Sequence, residues 1–172
     1  MLNHFSDNIT MVIPLRFITD GMLGKLSRWL RILGHDVQYY KNALDKNLIE
    51  WAASSDRILL TKDQKLIQQA IKNGVKVFFV EGTDIITMMA NLILHFDLNL
   101  EIDLNISRCP KCNGRLTFVP KDSIQDEIPN LTSIYYDEFW KCKECGQIYW
   151  LGTHWKKITK TLEDIKNFID NR

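Results

Sequence analysis

Residues 15–34 read LRFITDGMLGKLSRWLRILG, and the opening unit of the fold can be predicted from them. The first five residues, Leu15 to Thr19, are mostly apolar and predict a short strand. From Met22 to Leu33 the apolar side chains recur at the spacing of an amphipathic helix. Gly34 follows the last apolar position and is typical of a residue that ends a helix. The stretch therefore predicts a strand followed closely by a helix.

The same alternation of strand and helix continues to about residue 100. Further strands are predicted at 37–40, 57–61 and 75–80, and helices at 45–53, 66–71 and 83–96. Short connections between alternating strands and helices are typical of a parallel sheet covered by helices on both faces. We therefore predict an α/β domain over residues 14–100, with three α/β/α layers and a short parallel sheet.

The composition is that of an ordinary folded protein. Of 172 residues, 45% are apolar and 25% are charged, which excludes a disordered or low-complexity chain. The formal net charge of +1 disfavours a protein that binds nucleic acid through a large excess of positive charge. The longest mostly apolar run, Ile85 to Phe96, is too short and too polar to span a bilayer. Because the N-terminus does not resemble a secretory signal, we expect a cytoplasmic protein with no membrane partner.

The four cysteines form two pairs, each with a two-residue gap: Cys109-Pro-Lys-Cys112 and Cys142-Lys-Glu-Cys145. This gap lets both thiolates of a pair face one ion, and four sulfurs make the closed tetrahedral shell of a structural zinc. The alternatives are two disulfides in a secreted protein and a redox-active pair. We predict a small zinc ribbon at residues 105–158, followed by an amphipathic C-terminal helix at 159–172.

Aromatic side chains are frequent in the predicted ribbon, among them Trp140, Tyr149 and Trp155. A small zinc domain needs large side chains to fill its core, so core packing is the first interpretation. A surface on which the bases of single-stranded RNA stack is the second. His154 likewise has two interpretations, a packed structural residue or a functional group.

Acidic residues follow three of the predicted strands. Asp20 comes directly after the first strand, Asp63 lies just past the third, and Glu81 and Asp84 follow the fourth. Asp45 opens the helix before the third strand. Because ligands of open parallel sheets bind at the carboxyl ends of the strands, we expect these carboxylates at one edge, where Mg²⁺ or Mn²⁺ would offset their repulsion. Helix capping is the alternative role for Asp45 and Asp84.

Three basic residues, Lys25, Arg28 and Arg31, recur at three-residue spacing on the helix that follows Asp20. We predict that they form one basic stripe on the side of the helix away from the leucines. A solvated helix face is one interpretation, and a clamp for the phosphates of RNA beside a metal site is the other. No glycine-rich dinucleotide motif or Walker loop follows a strand, which disfavours nucleotide-cofactor enzymes.

Three segments carry more specific motifs. They are Arg16 to Gly34, Asp56-Arg-Ile-Leu-Leu-Thr-Lys-Asp63, and the paired cysteines with Tyr149-Trp-Leu-Gly-Thr-His-Trp155. Together they resemble the Mut-seven C-terminal ribonuclease domain over roughly residues 15–158. The resemblance implies a PIN-like nuclease domain with a zinc-ribbon tail, and Asp20, Asp45 and Asp63 as ligands of Mg²⁺ or Mn²⁺. It also implies that Thr61 orients Asp63 or a water, and that cleavage of RNA leaves a 5′ phosphate.

The sequence departs from the PIN-like pattern at Lys65, where many such domains carry a fourth acid. Asp84 or Glu81 is expected to replace that acid, or three acids suffice; we include Asp84 among the catalytic residues. The missing acid favours a competing hypothesis, a non-catalytic RNA-binding or ribosome-associated adaptor with a degenerate nuclease fold. A toxin of a toxin–antitoxin pair is disfavoured by the ribbon. The main prediction is a metal-dependent ribonuclease whose zinc ribbon helps to bind RNA.

Overall fold

The computed structural model describes residues 14–172. In its first part the chain alternates between strands and helices, as predicted. The elements are β1 (Arg16–Thr19), α1 (Gly24–Ile32), β2 (Asp36–Tyr39), α2 (Asp45–Ser54), β3 (Ile58–Thr61), α3 (Gln64–Lys72), β4 (Val77–Phe79) and α4 (Ile85–Phe96). A 3-10 turn, Gly21–Leu23, joins β1 to α1. The connection after β1 is therefore as short as the sequence suggests.

These strands form one parallel sheet in the order β2-β1-β3-β4. Phe17 on β1 is opposite Val37 on β2 and Ile58 on β3. Successive residues of a strand face opposite sides of a sheet, and Phe17 and Ile18 accordingly belong to two separate cores. The core around Phe17 is filled by α1 and α4, and the core around Ile18 by α2 and α3. The predicted α/β/α fold is confirmed.

The helix predicted within residues 22–33 buries its apolar face. Leu26 and Leu30 are fully buried, and Gly34 follows the helix with a φ of 94°, which glycine adopts with little strain. The fourth strand is shorter than the predicted 75–80. The amide of Val75 bonds to the carbonyl of Ala70 and closes the end of α3, so β4 begins only at Val77.

The second part of the chain contains a three-stranded antiparallel sheet. Its strands are β5 (Leu116–Val119), β6 (Phe139–Cys142) and β7 (Ile148–Trp150). Between β5 and β6 lie two 3-10 turns, Lys121–Ser123 and Gln125–Glu127, and the helix α5 (Asn130–Tyr135). Ile124 and Ile128 from this insertion pack against Phe139 and Ile148 in a small separate core. The sheet and the paired cysteines agree with the predicted ribbon.

The C-terminal helix α6 spans Thr153–Asp170, so it starts before the predicted residue 159 and inside the range assigned to the ribbon. Ile165 on α6 is fully buried in the same core as Phe17, where α6 packs along α4. The chain thus returns to the first domain after the ribbon. Within residues 14–172, no helix is both long enough and apolar enough to cross a membrane.

The first cysteine pair is fastened to the outer edge of β2. Asn113 Oδ1 accepts a hydrogen bond from the Val37 amide at 2.9 Å, and Asn113 Nδ2 donates one to Asp36 at 2.7 Å. The Val37 carbonyl accepts bonds from Arg31 Nε and Nη2 at 3.0 and 2.8 Å. Asn113 has a φ of 73°, which asparagine tolerates better than most residues. Side chains therefore satisfy the outward backbone groups of an edge strand that would otherwise stay unpaired.

Asp36 collects positive charge at the same edge. Its carboxylate lies 2.9 Å from Arg57, 3.7 Å from Arg16 and 3.8 Å from Arg108. Burial alone would raise the pKa of Asp36, but the hydrogen bonds from Arg57 and Asn113 hold that pKa below its ordinary value. Because Arg108 and Asn113 flank the first cysteine pair, this ionised carboxylate also holds the ribbon against the sheet.

Replacing Asn113 by glycine removes both side-chain hydrogen bonds but keeps a residue that adopts positive φ easily. We expect the free energy of unfolding to fall by about 1–3 kcal/mol, because the Val37 amide loses its partner. Asp97→Gly is the matched control, since Asp97 also has a positive φ, 51°, but is exposed. Chemical denaturation measures both variants. An Asn113→Gly variant as stable as the wild type would contradict this role.

His35 should make stability depend on pH. The side chain is 2% exposed, and its Nδ1 accepts a hydrogen bond from the Leu15 amide. Burial lowers the pKa of His35 to about 4, so the unfolded chain binds more protons than the folded chain between pH 4 and about 6.5. We expect the free energy of unfolding to fall by up to about 3 kcal/mol as the pH drops through that range. Chemical denaturation across this pH range should show that the free energy of unfolding depends less on pH in His35→Asn than in the wild type. The same pH dependence in both proteins would refute this role of His35.

Candidate active site and cysteine cluster

Asp20 leaves the sheet at the carboxyl end of β1 and is almost completely buried, with 9% of its surface exposed. Its Oδ1 accepts a hydrogen bond from the Met22 amide at 2.8 Å and so caps the 3-10 turn. Its Oδ2 accepts a short hydrogen bond from the hydroxyl of Thr61. A side chain at Gly21 would collide with the backbone carbonyl of Lys41, so glycine is required beside this carboxylate.

Thr61 connects Asp20 to Asp63. It is the last residue of β3, and its side chain is fully buried. The Thr61 hydroxyl donates to Asp20 and accepts a hydrogen bond from the Asp63 amide at 3.0 Å. Asp63 in turn caps α3, because its Oδ1 accepts from the amides of Lys65 and Leu66 at 2.7 and 3.3 Å. Asp20 and Asp63 therefore lie at one edge of the sheet, and the Thr61 hydroxyl forms hydrogen bonds with both residues.

Asp45 is the first residue of α2, which begins after the carboxyl end of β2, and its side chain is half-buried. The carboxylates of Asp20, Asp45 and Asp63 are not all within 4.8 Å of one another. Among residues 14–172, none of the three has a Lys or Arg partner within 4.0 Å. A cation that they share would have to come from solution.

Asp84 has a structural role in the helix α4, which it caps. Its Oδ1 accepts from the Thr87 amide at 3.0 Å and its Oδ2 from the Thr87 hydroxyl at 2.8 Å. These hydrogen bonds hold the pKa of the exposed Asp84 carboxyl below its ordinary value. Glu81 is exposed just after β4. The capping alternative thus describes Asp84 well, and its catalytic role stays a prediction.

The predicted basic stripe contains two exposed residues, Lys25 and Arg28, and not three. Arg31 is only 6% exposed, and burial lowers the pKa of its guanidinium. Besides its bonds to Val37, Arg31 donates to the carbonyl of Pro110 at 3.0 Å. Arg31 therefore does not share the exposed face of Lys25 and Arg28, because the ribbon packs on that part of the helix, and its predicted role in RNA binding stays a prediction.

The four cysteine sulfurs lie within 4.8 Å of one another. Cys109 Sγ is 3.7 Å from Cys145 Sγ, and Cys112 Sγ is 3.4 Å from Cys142 Sγ. A tetrahedron with Zn–S bonds of about 2.3 Å has edges of about 3.8 Å, so the sulfurs are close to the spacing that zinc needs. The cluster can hold a metal such as zinc, and pairs of sulfurs this far apart are not disulfides.

Tyr149 supports this cluster, a role that the sequence pattern did not reveal. Its hydroxyl lies 3.0 Å from Cys109 Sγ, and burial, followed by that contact, raises the pKa of the phenol above its ordinary value. Trp140 is 8% exposed, which agrees with the core-packing interpretation for that residue, whereas Tyr149 is half-buried and both interpretations stay open for its ring. His154 lies exposed in the first turn of α6 and is not among the clustered ligands.

Together, the parallel sheet with acids at its carboxyl edge and the four-cysteine ribbon define an α/β domain joined to a small module that could hold a metal ion. The chain matches the Mut7-C RNAse domain over residues 15–162, nearly its whole length, and it belongs to that family. The resemblance seen in the sequence is confirmed. Membership indicates a ribonuclease-type hydrolase with RNA as its class of substrate. Searches of curated proteins and of solved structures found no match.

Removal of one cysteine should abolish metal binding. We expect the purified wild type to carry about one zinc per chain by elemental analysis, and Cys112→Ser to carry almost none and to unfold at a lower temperature. Tyr149→Phe is the control, because it keeps all four sulfurs and loses only the contact with Cys109. A zinc-free wild type with two disulfides by mass spectrometry would contradict the prediction.

Proposed function

We propose that the chain is a metal-dependent ribonuclease that hydrolyses phosphodiester bonds of RNA at the edge formed by Asp20, Asp45 and Asp63. The observation that carries the proposal is Asp20, a carboxylate that is 9% exposed and has no cation partner among residues 14–172. Two hydrogen bonds stabilise this carboxylate but leave its charge without a counter-ion, and a bound cation would supply one. Family membership makes RNA the substrate class.

Mg²⁺ or Mn²⁺ is the cation that suits these residues, because both prefer oxygen ligands and retain several waters. The three carboxylates are not all within 4.8 Å of one another, whereas two oxygens bound to one Mg²⁺ are at most about 4.2 Å apart, so at least one carboxylate would hold the ion through a bound water. When bound, such an ion supplies an activated water and positive charge for in-line attack on phosphorus. We therefore assign Asp20, Asp45 and Asp63 as ligands, with Thr61 as a positioning residue that orients Asp20.

The ribbon is proposed to help the first domain bind RNA, with a structural zinc at its four cysteines. Lys25 and Arg28 are exposed on the helix that follows Asp20, which supports their proposed role as contacts for phosphates of a strand that reaches the acidic edge. The alternative of a non-catalytic adaptor shares this RNA surface but requires no divalent ion. RNA cleavage assays on variants of the acidic residues distinguish the ribonuclease from the adaptor.

Asp20→Asn should reduce RNA cleavage to the level of a blank without protein, because a neutral amide is a poor ligand for Mg²⁺ or Mn²⁺. Asp97→Asn is the matched control. It also removes one negative charge, but Asp97 lies at the C-terminal end of α4, away from the acidic edge. The Asp97→Asn variant should therefore cleave RNA like the wild type. Gel assays on single-stranded RNA, with thermal unfolding to check the fold, measure both. Full cleavage by Asp20→Asn would refute the assigned site.

Thr61→Val keeps the buried shape but removes the hydroxyl that bonds Asp20 and the Asp63 amide. We expect a loss of roughly 10–100-fold in cleavage rate, typical of groups that orient metal ligands, and a higher Mn²⁺ concentration at half-maximal rate. Thr61→Ser retains the hydroxyl and should recover most of the rate. Equal Mn²⁺ dependence in the valine and serine variants would show that the hydroxyl does not position Asp20.

A further inference from the structure

A groove of about 340 Å³ lies between the first domain and the ribbon. Both parts of the chain line it, with Gly24, Arg28, Arg31 and Tyr39 on one side and Lys111 and Tyr149 on the other. The side chains of Arg28 and Lys111 are exposed, and no carboxylate is among these lining residues. This interdomain groove therefore presents positive charge and aromatic rings side by side.

Both tyrosine side chains of the interdomain groove are held in place. The Tyr39 hydroxyl donates to the Gly21 carbonyl at 3.3 Å, and a Cβ built on Gly24 would lie only 3.0 Å from the same hydroxyl oxygen. Tyr39 thus packs on a helix position that has no side chain. The Tyr149 hydroxyl is fixed by its contact with Cys109 Sγ. Rings fixed in advance lose little conformational freedom when a ligand stacks on them.

Tyr39 links the interdomain groove to the acidic edge through one hydrogen bond. Gly21, which accepts the hydrogen bond from Tyr39, directly follows Asp20. Lys25 is exposed on α1, three residues before Arg28, and extends the positive charge along the same helix. A strand that occupies the groove and continues past Tyr39 would therefore run toward the carboxylate that we assign to the reaction.

We propose that the interdomain groove binds an unpaired segment of the RNA strand, with Arg28 and Lys111 at its phosphates and the two tyrosine rings at its bases. Basic side chains that follow the backbone, combined with aromatic rings on which bases stack, are typical of sites for single-stranded nucleic acid. Bases inside a duplex are already stacked on each other and cannot reach such rings. RNA as the ligand class rests on the proposed function, but binding in the groove does not require cleavage.

The test compares two lysines that both lie between the cysteines of a pair. Lys111 and Lys143 are both exposed, but only Lys111 lines the interdomain groove. Lys111→Glu and Lys143→Glu change the net charge equally. We expect Lys111→Glu to raise the Kd for a labelled single-stranded RNA about tenfold at low salt, and Lys143→Glu to raise it no more than about twofold. Fluorescence anisotropy of the zinc-loaded full chain without added Mg²⁺ or Mn²⁺ measures this.

Two further variants guard against a defect in the ribbon. Arg28→Glu lies on α1 and should weaken binding as Lys111→Glu does. Tyr39→Leu should raise the Kd about tenfold through loss of stacking, whereas Tyr39→Phe keeps the ring, loses only the hydroxyl bond to Gly21, and should raise the Kd no more than about twofold. A duplex RNA of the same length should bind the wild type more weakly than the single strand.

Equal effects of Lys111→Glu and Lys143→Glu, or equal affinity for duplex and single strand, would overturn the proposal. Because binding is measured without cleavage, the two proposals can fail separately. If the protein shows the expected binding pattern but never cleaves RNA, the proposed function is refuted. The proposal that the interdomain groove binds unpaired RNA would still stand. A protein that cleaves RNA while Lys111→Glu binds like the wild type would refute the groove alone.

Discussion

The parallel pairing of β1 with β3 is the contact on which the candidate active site depends. Thr19 lies opposite Leu60, so the next residues, Asp20 and Thr61, lie side by side at the carboxyl edge. The Thr61 hydroxyl then reaches the Asp20 carboxylate and the Asp63 amide at once. A shift of one residue in this register would turn the side chains to the opposite faces and separate these groups.

The position of the ribbon depends on the outer edge of the same sheet. Asn113 directly follows Cys112 and bonds to both Asp36 and the Val37 amide of β2. A metal that fixes the turn around Cys112 would therefore also fix the contact between ribbon and sheet. Pro110 and Lys111 of the same cysteine pair line the interdomain groove, so a metal bound at the cysteines would also hold that side of the groove in place.

Patterns that act over a few residues could be predicted from the sequence. The strands and helices follow from apolar periodicity, and the cysteine cluster follows from spacing. Arg31 shows the limit, because helical spacing says which residues share a face but not what packs on that face. Its partner Pro110 lies 79 residues along the chain. The contacts of Asn113 with β2 and the return of Ile165 to the first core likewise join distant segments, and local patterns carry no signal for them.

We propose that the acidic edge of the sheet hydrolyses RNA with a divalent ion. The most direct measurement is cleavage of single-stranded RNA by the purified, zinc-loaded full chain while Mn²⁺ or Mg²⁺ is titrated into metal-free buffer. We predict no cleavage at the start of the titration, a rate that rises and saturates with the added ion, and products that carry 5′ phosphates. Cleavage at an unchanged rate without the added ion, or no cleavage at any concentration of either ion, would contradict the claim.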